Sequence, residues 1–269
     1  MRRIKIAGLC LVAAFVLSVA MSASASAAPP EFGRCIKGAE HSVKNFDSAK
    51  CIKLAEEDAV SEAEQLKKGV FKWSPGVVKT KFTTKMKAET IATLETVGGT
   101  KITCTAEKSK GEYVGTNNKE IGKMVAEFSG CETNKLKCES AGAGTGNINT
   151  APLGGPIGFE TVVVPASKDK VANELHSESG NIAEFECAGL KVVVRGSVLH
   201  KITANAMKLT ATEKFTASKG KQKPEHFAGG VAKEHILETS TNGGAFEQSG
   251  QTITSILTNE EKIEANTVV

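Results

Sequence analysis

The chain predicts a mainly β protein, an antiparallel β-sandwich or open barrel with one N-terminal helix, and three observations carry that expectation. Val78 to Phe82, Ile91 to Glu95, Lys101 to Ala106 and Glu184 to Cys187 alternate apolar and polar residues with period two, threonine recurring on the outward side. Turn signals separate these runs: Gly98-Gly99, Thr116-Asn117-Asn118, Ser179-Gly180-Asn181, Ser218-Lys219-Gly220 and Asn242-Gly243-Gly244. Earlier in the chain the period is different. Ile52, Ala55, Ala59, Ala63 and Leu66 recur at spacings of three and four, which predicts a helix near 48–68.

Taken in order, residues 1–28 read as a signal peptide. Arg2, Arg3 and Lys5 precede an apolar run from Ile6 to Met21, and small residues follow to Ala28. The apolar core is too short for a membrane span and ends in an A-x-A-like cleavage region. Residues 29–76 form a cysteine-tied N-terminal segment holding the helix. Asp47 or Ser48 caps it, Glu56, Glu57 and Asp58 lie in its first half, and Lys67, Lys68 and Gly69 close it. Its stripe is mostly alanine, so it buries little area and belongs on an edge. Residues 77–269 make the β-sandwich or barrel domain. Within them 141–158 is rich in Gly, Asn and Pro without periodicity, and reads as a long crossing loop.

Export changes the meaning of charge and of cysteine. The formal net charge of +4 falls by three, to +1, when Arg2, Arg3 and Lys5 leave with the signal. A near-neutral chain with only Arg34 and Arg195 as remaining arginines offers no electrostatic case for nucleic acid or an anionic membrane. The stretch from Lys214 to Lys223 reads as a solvated hairpin tip. Cys10 goes with the signal, leaving Cys35, Cys51, Cys104, Cys131, Cys138 and Cys187 as disulfide candidates in an oxidising compartment. Pairing Cys35 with Cys51 would tie the N-terminal segment to the first helical turn. Cys104 shares a strand face with Ile102 and Cys187 with Phe185, so both thiols point into the core and a Cys104–Cys187 bridge is the first choice. Cys131 and Cys138 then suit a local clamp. The C-terminal residues Ala265 to Val269 carry no hydrophobic tail, so no membrane anchor is expected after cleavage.

Few chemistries leave a trace. No serine has glycine at both minus two and plus two, and no H-E-x-x-H occurs. His41, His176, His200, His226 and His235 are dispersed; only His226 and His235 could converge, and solvated loop histidines explain them better. Aspartates are few, which disfavours a calcium loop. No catalytic residue, cofactor or metal site is therefore assigned. A glutamate pair such as Glu184 and Glu186 remains open, although Trp73 and Tyr113 are the only large aromatic platforms besides phenylalanine and these two glutamates read as a solvent face. Leu94 to Gly99 echoes Leu237 to Gly244, which similar turn chemistry explains without duplication.

The segments PPEFGRC (from Pro29), ATLETVGGTKITC (from Ala92), FSGCE (from Phe128), CESAGAG (from Cys138), APLGGPIG (from Ala151) and ILETSTNGGAFEQSG (from Ile236) resemble those of a group of uncharacterised secreted bacterial proteins. The resemblance covers most of the mature chain and implies export and a shared fold, with no activity attached. Two functions are carried forward: a non-catalytic extracellular β-domain with a structural, adhesive or ligand-binding role toward a protein or glycan, through loops such as 141–158 and 242–250; and an extracellular hydrolase using paired glutamates. Mass spectrometry of the exported protein before and after reduction should show a gain of six hydrogens, one per thiol beyond Cys10; a smaller gain refutes three bridges.

Overall fold

The computed structural model describes residues 30–38, 42, 45–51, 53–55, 68–161, 170–203, 206–228, 232–234 and 236–266. The expected signal segment 1–28 lies outside them. At the N-terminus, β1 (Glu31–Lys37) pairs antiparallel with β2 (Phe71–Pro75). The next strands follow the predicted alternation closely: β3 (Lys81–Met86) buries Phe82, Thr84 and Met86 and exposes Lys81, Thr83 and Lys85. After it come β4 (Ala92–Thr96), β5 (Lys101–Cys104), β6 (Ala106–Val114), β7 (Glu120–Ser129), β8 (Glu132–Thr133), β9 (Leu136–Glu139), β10 (Asn147–Asn149) and β11 (Leu153–Thr161). Two long strands, β12 (Lys170–Cys187) and β13 (Leu190–Thr203), form a hairpin. The chain ends with β14 (Lys208–Ser218), β15 (Lys221–Lys223), β16 (His226–Ala228), β17 (Ala232–Glu234), β18 (Leu237–Thr241) and the longest strand, β19 (Glu247–Asn266).

The sheet is a closed barrel, neither a sandwich nor an open barrel. Antiparallel pairing runs β3–β6–β7–β11–β12–β13–β14–β19 and returns from β19 to β3. A second ring shares the full-length strands: β4–β5–β8–β9–β12–β13–β18–β19 and back to β4. The two rings are the two ends of one tube with eight wall positions. Thus β3 and β4 are one wall strand interrupted at residues 87–91, since β19 meets Met86 at Ser255 and Thr93 at Thr252. In the same way β14 and β18 share the place between β13 and β19, and residues between them leave the wall and return. The two echoing segments that contain β4 and β18 flank β19 at one level, with Ser249 facing Thr96 on one side and Leu237 on the other.

Tight turns set the register. Asn134-Lys135, Ala188-Gly189 and Lys219-Gly220 each have both φ angles positive and each join strands through a two-residue loop, the geometry whose twist matches that of the flanking strands. The Lys214 to Lys223 stretch is thus a hairpin with its lysines exposed, as expected, but Gln222 is fully buried. Its carboxamide receives the Gln251 N–H at 3.0 Å and donates to the Thr216 carbonyl at 3.0 Å, joining β15 to β19 where β14 peels away.

Three further expectations are corrected. The first is the helix: residues 52 and 56–67 lie outside the described residues, and those beside them are not helical. Cys51 has φ +47°, and Phe46 bridges both Leu54 and Phe71 in antiparallel fashion. An alanine stripe offers a helix little to bury, whereas here Phe46, Cys51, Cys35 and Trp73 gather in a small apolar cluster. The second is the loop 141–158. Residues 147–149 and 153–158 belong to the wall, through β10 and β11. Gly154, Gly155 and Gly158 are there for close approach: a Cβ on Gly158 would lie 2.3 Å from the Phe227 ring, which the β16–β17 hairpin lays over the outside of the wall beside Ala172 and Leu199.

The third correction concerns the disulfides. Cys35–Cys51 forms as predicted, but the others are Cys104–Cys131 and Cys138–Cys187. The inward direction of Cys104 and Cys187 is right; the neighbours were not. Around the wall β5, β8, β9 and β12 stand in that order, with Thr103 opposite Glu132 and Cys138 opposite Cys187. Cys104 and Cys187 are thus three wall positions apart, on the order of 10–14 Å at about 4.8 Å per strand, beyond the ~7 Å limit between bridged Cα atoms. The hairpin from Cys131 to Cys138, expected to clamp itself, is instead stapled to the wall on each side.

At the opposite end β1 pairs with the last residues of β19, and Phe32 enters the barrel, its ring 4.4 Å from Tyr113. Outside, Lys81, Lys85, Lys108, Lys110, Glu184 and Glu186 are exposed. No described helix is long and apolar enough to cross a membrane.

Two predictions follow from the wall. Replacing Cys138 and Cys187 by serine removes a link of 49-residue separation and should lower unfolding free energy by about 4 kcal/mol, against about 3 for the Cys35–Cys51 pair, in the loop-entropy account; urea denaturation measures both. Gly158→Val should destabilise by about 2 kcal/mol or more by displacing Phe227, an overpacking effect seen in the same titration.

Candidate binding site in the barrel lumen

Alternation sends every second wall residue inward, and at the closed tube's centre those residues are of two kinds. Met124, Ala126 and Phe128 of β7, Leu175, Ile182 and Phe185 of β12, Val194 and Val198 of β13 and Ile253 of β19 supply an apolar lining. Facing them, four adjacent strands bring in Glu107 (β6), Thr84 (β3), Ser255 (β19) and Glu213 (β14). Together they enclose a cavity of about 100 Å³.

Glu107 is 5% exposed and Glu213 4%. One Glu107 oxygen accepts from the Thr84 hydroxyl at 2.7 Å and the other from Ser255 at 2.9 Å, while Ser109 hydrogen-bonds Thr84. Burial pushes the Glu107 carboxyl above the usual carboxylate range; the hydroxyls pull it back, and the nearby Glu213 charge adds to the rise. Glu213 Oε1 lies 3.2 Å from His200 Nε2, and His200 in turn sits 3.1 Å from Asn173 Nδ2 and against the Phe215 ring. Asn173 faces His200 directly across β12 and β13. A polar belt thereby spans six neighbouring wall strands, from Asn173 and His200 through Glu213 and Ser255 to Thr84 and Glu107. Its far members are incompletely bonded: among the described residues, His200 Nδ1 and Asn173 Oδ1 are buried without a partner.

Glu213 and Asn173 also line a smaller cavity of about 30 Å³ toward the Phe32 end, with Tyr113, Asn259 and Glu264. The Tyr113 hydroxyl donates to Asn259 Oδ1 at 2.7 Å, and burial raises it well above the ordinary phenol range. Burial also lifts Glu264 to about 7, against the opposing effect of the Met207 N–H.

The residues singled out in the sequence lie elsewhere. Glu184 and Glu186 project from β12 into solvent, where Asn181 donates to Glu184 at 2.7 Å. Trp73 is buried in the N-terminal cluster and donates to Glu31 at 2.9 Å, so neither it nor Tyr113 forms an open aromatic platform. His226 is exposed; His41 and His235 lie outside the described residues. The 242–250 region is a tight turn running into β19, with Asn242 accepting the Lys191 N–H and Arg195 stacked 3.6 Å over Phe246. Among the described residues no three His, Cys, Asp or Glu side chains group as a metal site. The belt went unread because AEKSKGEYV is polar on both faces, hiding which alternate set turns inward.

Raised carboxyl values make folding favour the protonated form. Glu264 therefore contributes stability that is fully present below its ordinary value of 4.5 and is lost as pH rises through about 7. Glu264→Gln should flatten the pH 5 to 8 stability profile by about 1–2 kcal/mol, allowing for solvent screening of a half-buried group, read from urea midpoints at the two pH values. Comparison of the chain with protein-family models, with curated proteins and with solved structures finds no match.

Proposed function

We propose that this chain is an exported, non-catalytic β-barrel that holds one small, mainly apolar ligand in its lumen. The observation that carries the reading is the cavity of about 100 Å³ with apolar walls and one polar corner. An eight-stranded barrel has an interior either filled by its own side chains or left with room for a single small molecule, and sites of this composition are the usual ones for such ligands. Export rests on the signal-like N-terminus, and three disulfides are consistent with an oxidising compartment.

The cavity of about 100 Å³ is about two-thirds of the ~150 Å³ of an engineered apolar cavity that takes up benzene, so the ligand is no larger than about four to six non-hydrogen atoms. Hydrolysis by a glutamate pair is the weaker reading. Glu107 and Glu213 do share a cavity, but a continuous wall surrounds it, and a glycan chain requires an open groove between its two carboxyls.

Titrating cyclopentanol into the protein while following methyl resonances tests this. Ile182, Leu175 and Ile253 should shift saturably, and Ala126→Leu, which fills the cavity, should weaken binding at least tenfold. Absence of any lumen shift at millimolar ligand refutes the reading.

A further inference from the structure

We infer that the lumen selects a small organic cation, an ammonium group carried on a compact hydrocarbon body. The inference rests on the lumen-binding reading above and adds the charge of the ligand. Among the described residues two carboxyls, Glu107 and Glu213, line the main cavity, and no lysine or arginine does. His200 is the single base in the belt, and it faces Glu213. Glu107 is surrounded by hydroxyls, each of which can only donate one proton to it. The enclosed space thus holds one carboxyl more than it holds bases.

Such an arrangement is unfavourable for an empty lumen and favourable for a positively charged occupant. A buried carboxylate without a cation is strongly penalised, and an ammonium brings both the missing charge and three N–H donors to a corner built of oxygen acceptors. The polar groups lie on four consecutive wall strands, β6, β3, β19 and β14, so they converge from one side. The hydrocarbon surface is opposite, which fixes the ligand's orientation: charge toward Glu107 and Glu213, body toward Met124, Phe128 and Phe185.

A second observation points the same way. Asn173, 2% exposed, lines the adjoining cavity with Oδ1 unpartnered among the described residues, and Glu213 lines both cavities. The polar corner therefore extends past Glu213 to a further unmet group, more capacity than the protein's own side chains use.

The probes are cyclopentylamine and cyclopentanol, equal in size and differing in charge, followed by methyl and backbone amide resonances at pH 7. The amine should bind at least tenfold more tightly than the alcohol. Glu107→Gln and Glu213→Gln should each lower the amine-to-alcohol affinity ratio at least fivefold, whatever either does to the alcohol affinity itself. Retained cyclopentanol binding also shows that the variants are folded; should either variant unfold, added sodium chloride on the native protein is the second measurement, which leaves a buried charge pair nearly unchanged but removes amine binding at the exposed glutamates. Equal affinities for the two probes, or a preference for the alcohol, overturn the cation inference and leave the lumen reading standing. Failure of both probes to reach the lumen overturns the lumen reading itself.

Discussion

Closure of the sheet along β19 is the constraint on which everything else depends. Pairing of Phe82 with Asn259 and of Met86 with Ser255 brings together residues from the two ends of the wall, and it is this seam that turns a meander of hairpins into a tube. Once closed, the wall has no unpaired edge to invite a neighbouring chain. The inside is then a separate environment. Without the seam, Glu107 and Thr84 on one edge of an open sheet would lie remote from Ser255 and Glu213 at the other, and no polar corner would exist.

The seam also ranks the other devices. Each interruption of the wall has its own repair: Gln222 supplies side-chain bonds where β14 leaves, and the paired staples hold the short hairpin strands that would otherwise be the weakest wall members. At the far end β1 inserts Phe32 against Tyr113, so the N-terminal segment shares the barrel's own core. The lumen is consequently bounded by disulfides at one end and aromatic rings at the other. Its polar belt is tolerable because most members are hydrogen-bonded, and the members that are not mark where the interior has capacity to spare.

Much of the fold was legible because half-buried strands write their period directly. Residues 81–86 and 101–104 alternate cleanly, and the two-residue turns carry Asn, Gly and Lys where positive φ is needed. What failed did so for identifiable reasons. Gly154, Gly155 and Gly158 are loop formers in isolation, and only the Phe227 ring and neighbouring backbone explain their place in a wall. Disulfide partners depend on strand order around a closed ring, which inward-facing cysteines cannot reveal alone. The site was the least legible part. Its glutamates sit in runs polar on both faces, and their convergence depends on pairings of high sequence separation, such as Glu107 with Ser255. Glu184 and Glu186 looked more like a pair because they share a strand, yet nearness in sequence placed them together on the outside.

The order of the three bridges has a bearing on how the protein is made. Cys35 joins Cys51, Cys104 joins Cys131 and Cys138 joins Cys187, so the six bridged cysteines pair as consecutive twos along the chain. A polypeptide that meets an oxidant from its N-terminus onward reaches this pattern by simple succession. Each thiol finds its partner as the first newcomer, and no mismatched bridge has to be reopened by thiolate exchange. A chain exported as proposed would thus reach its native bridges by oxidation in order of synthesis, without exchange between pairs.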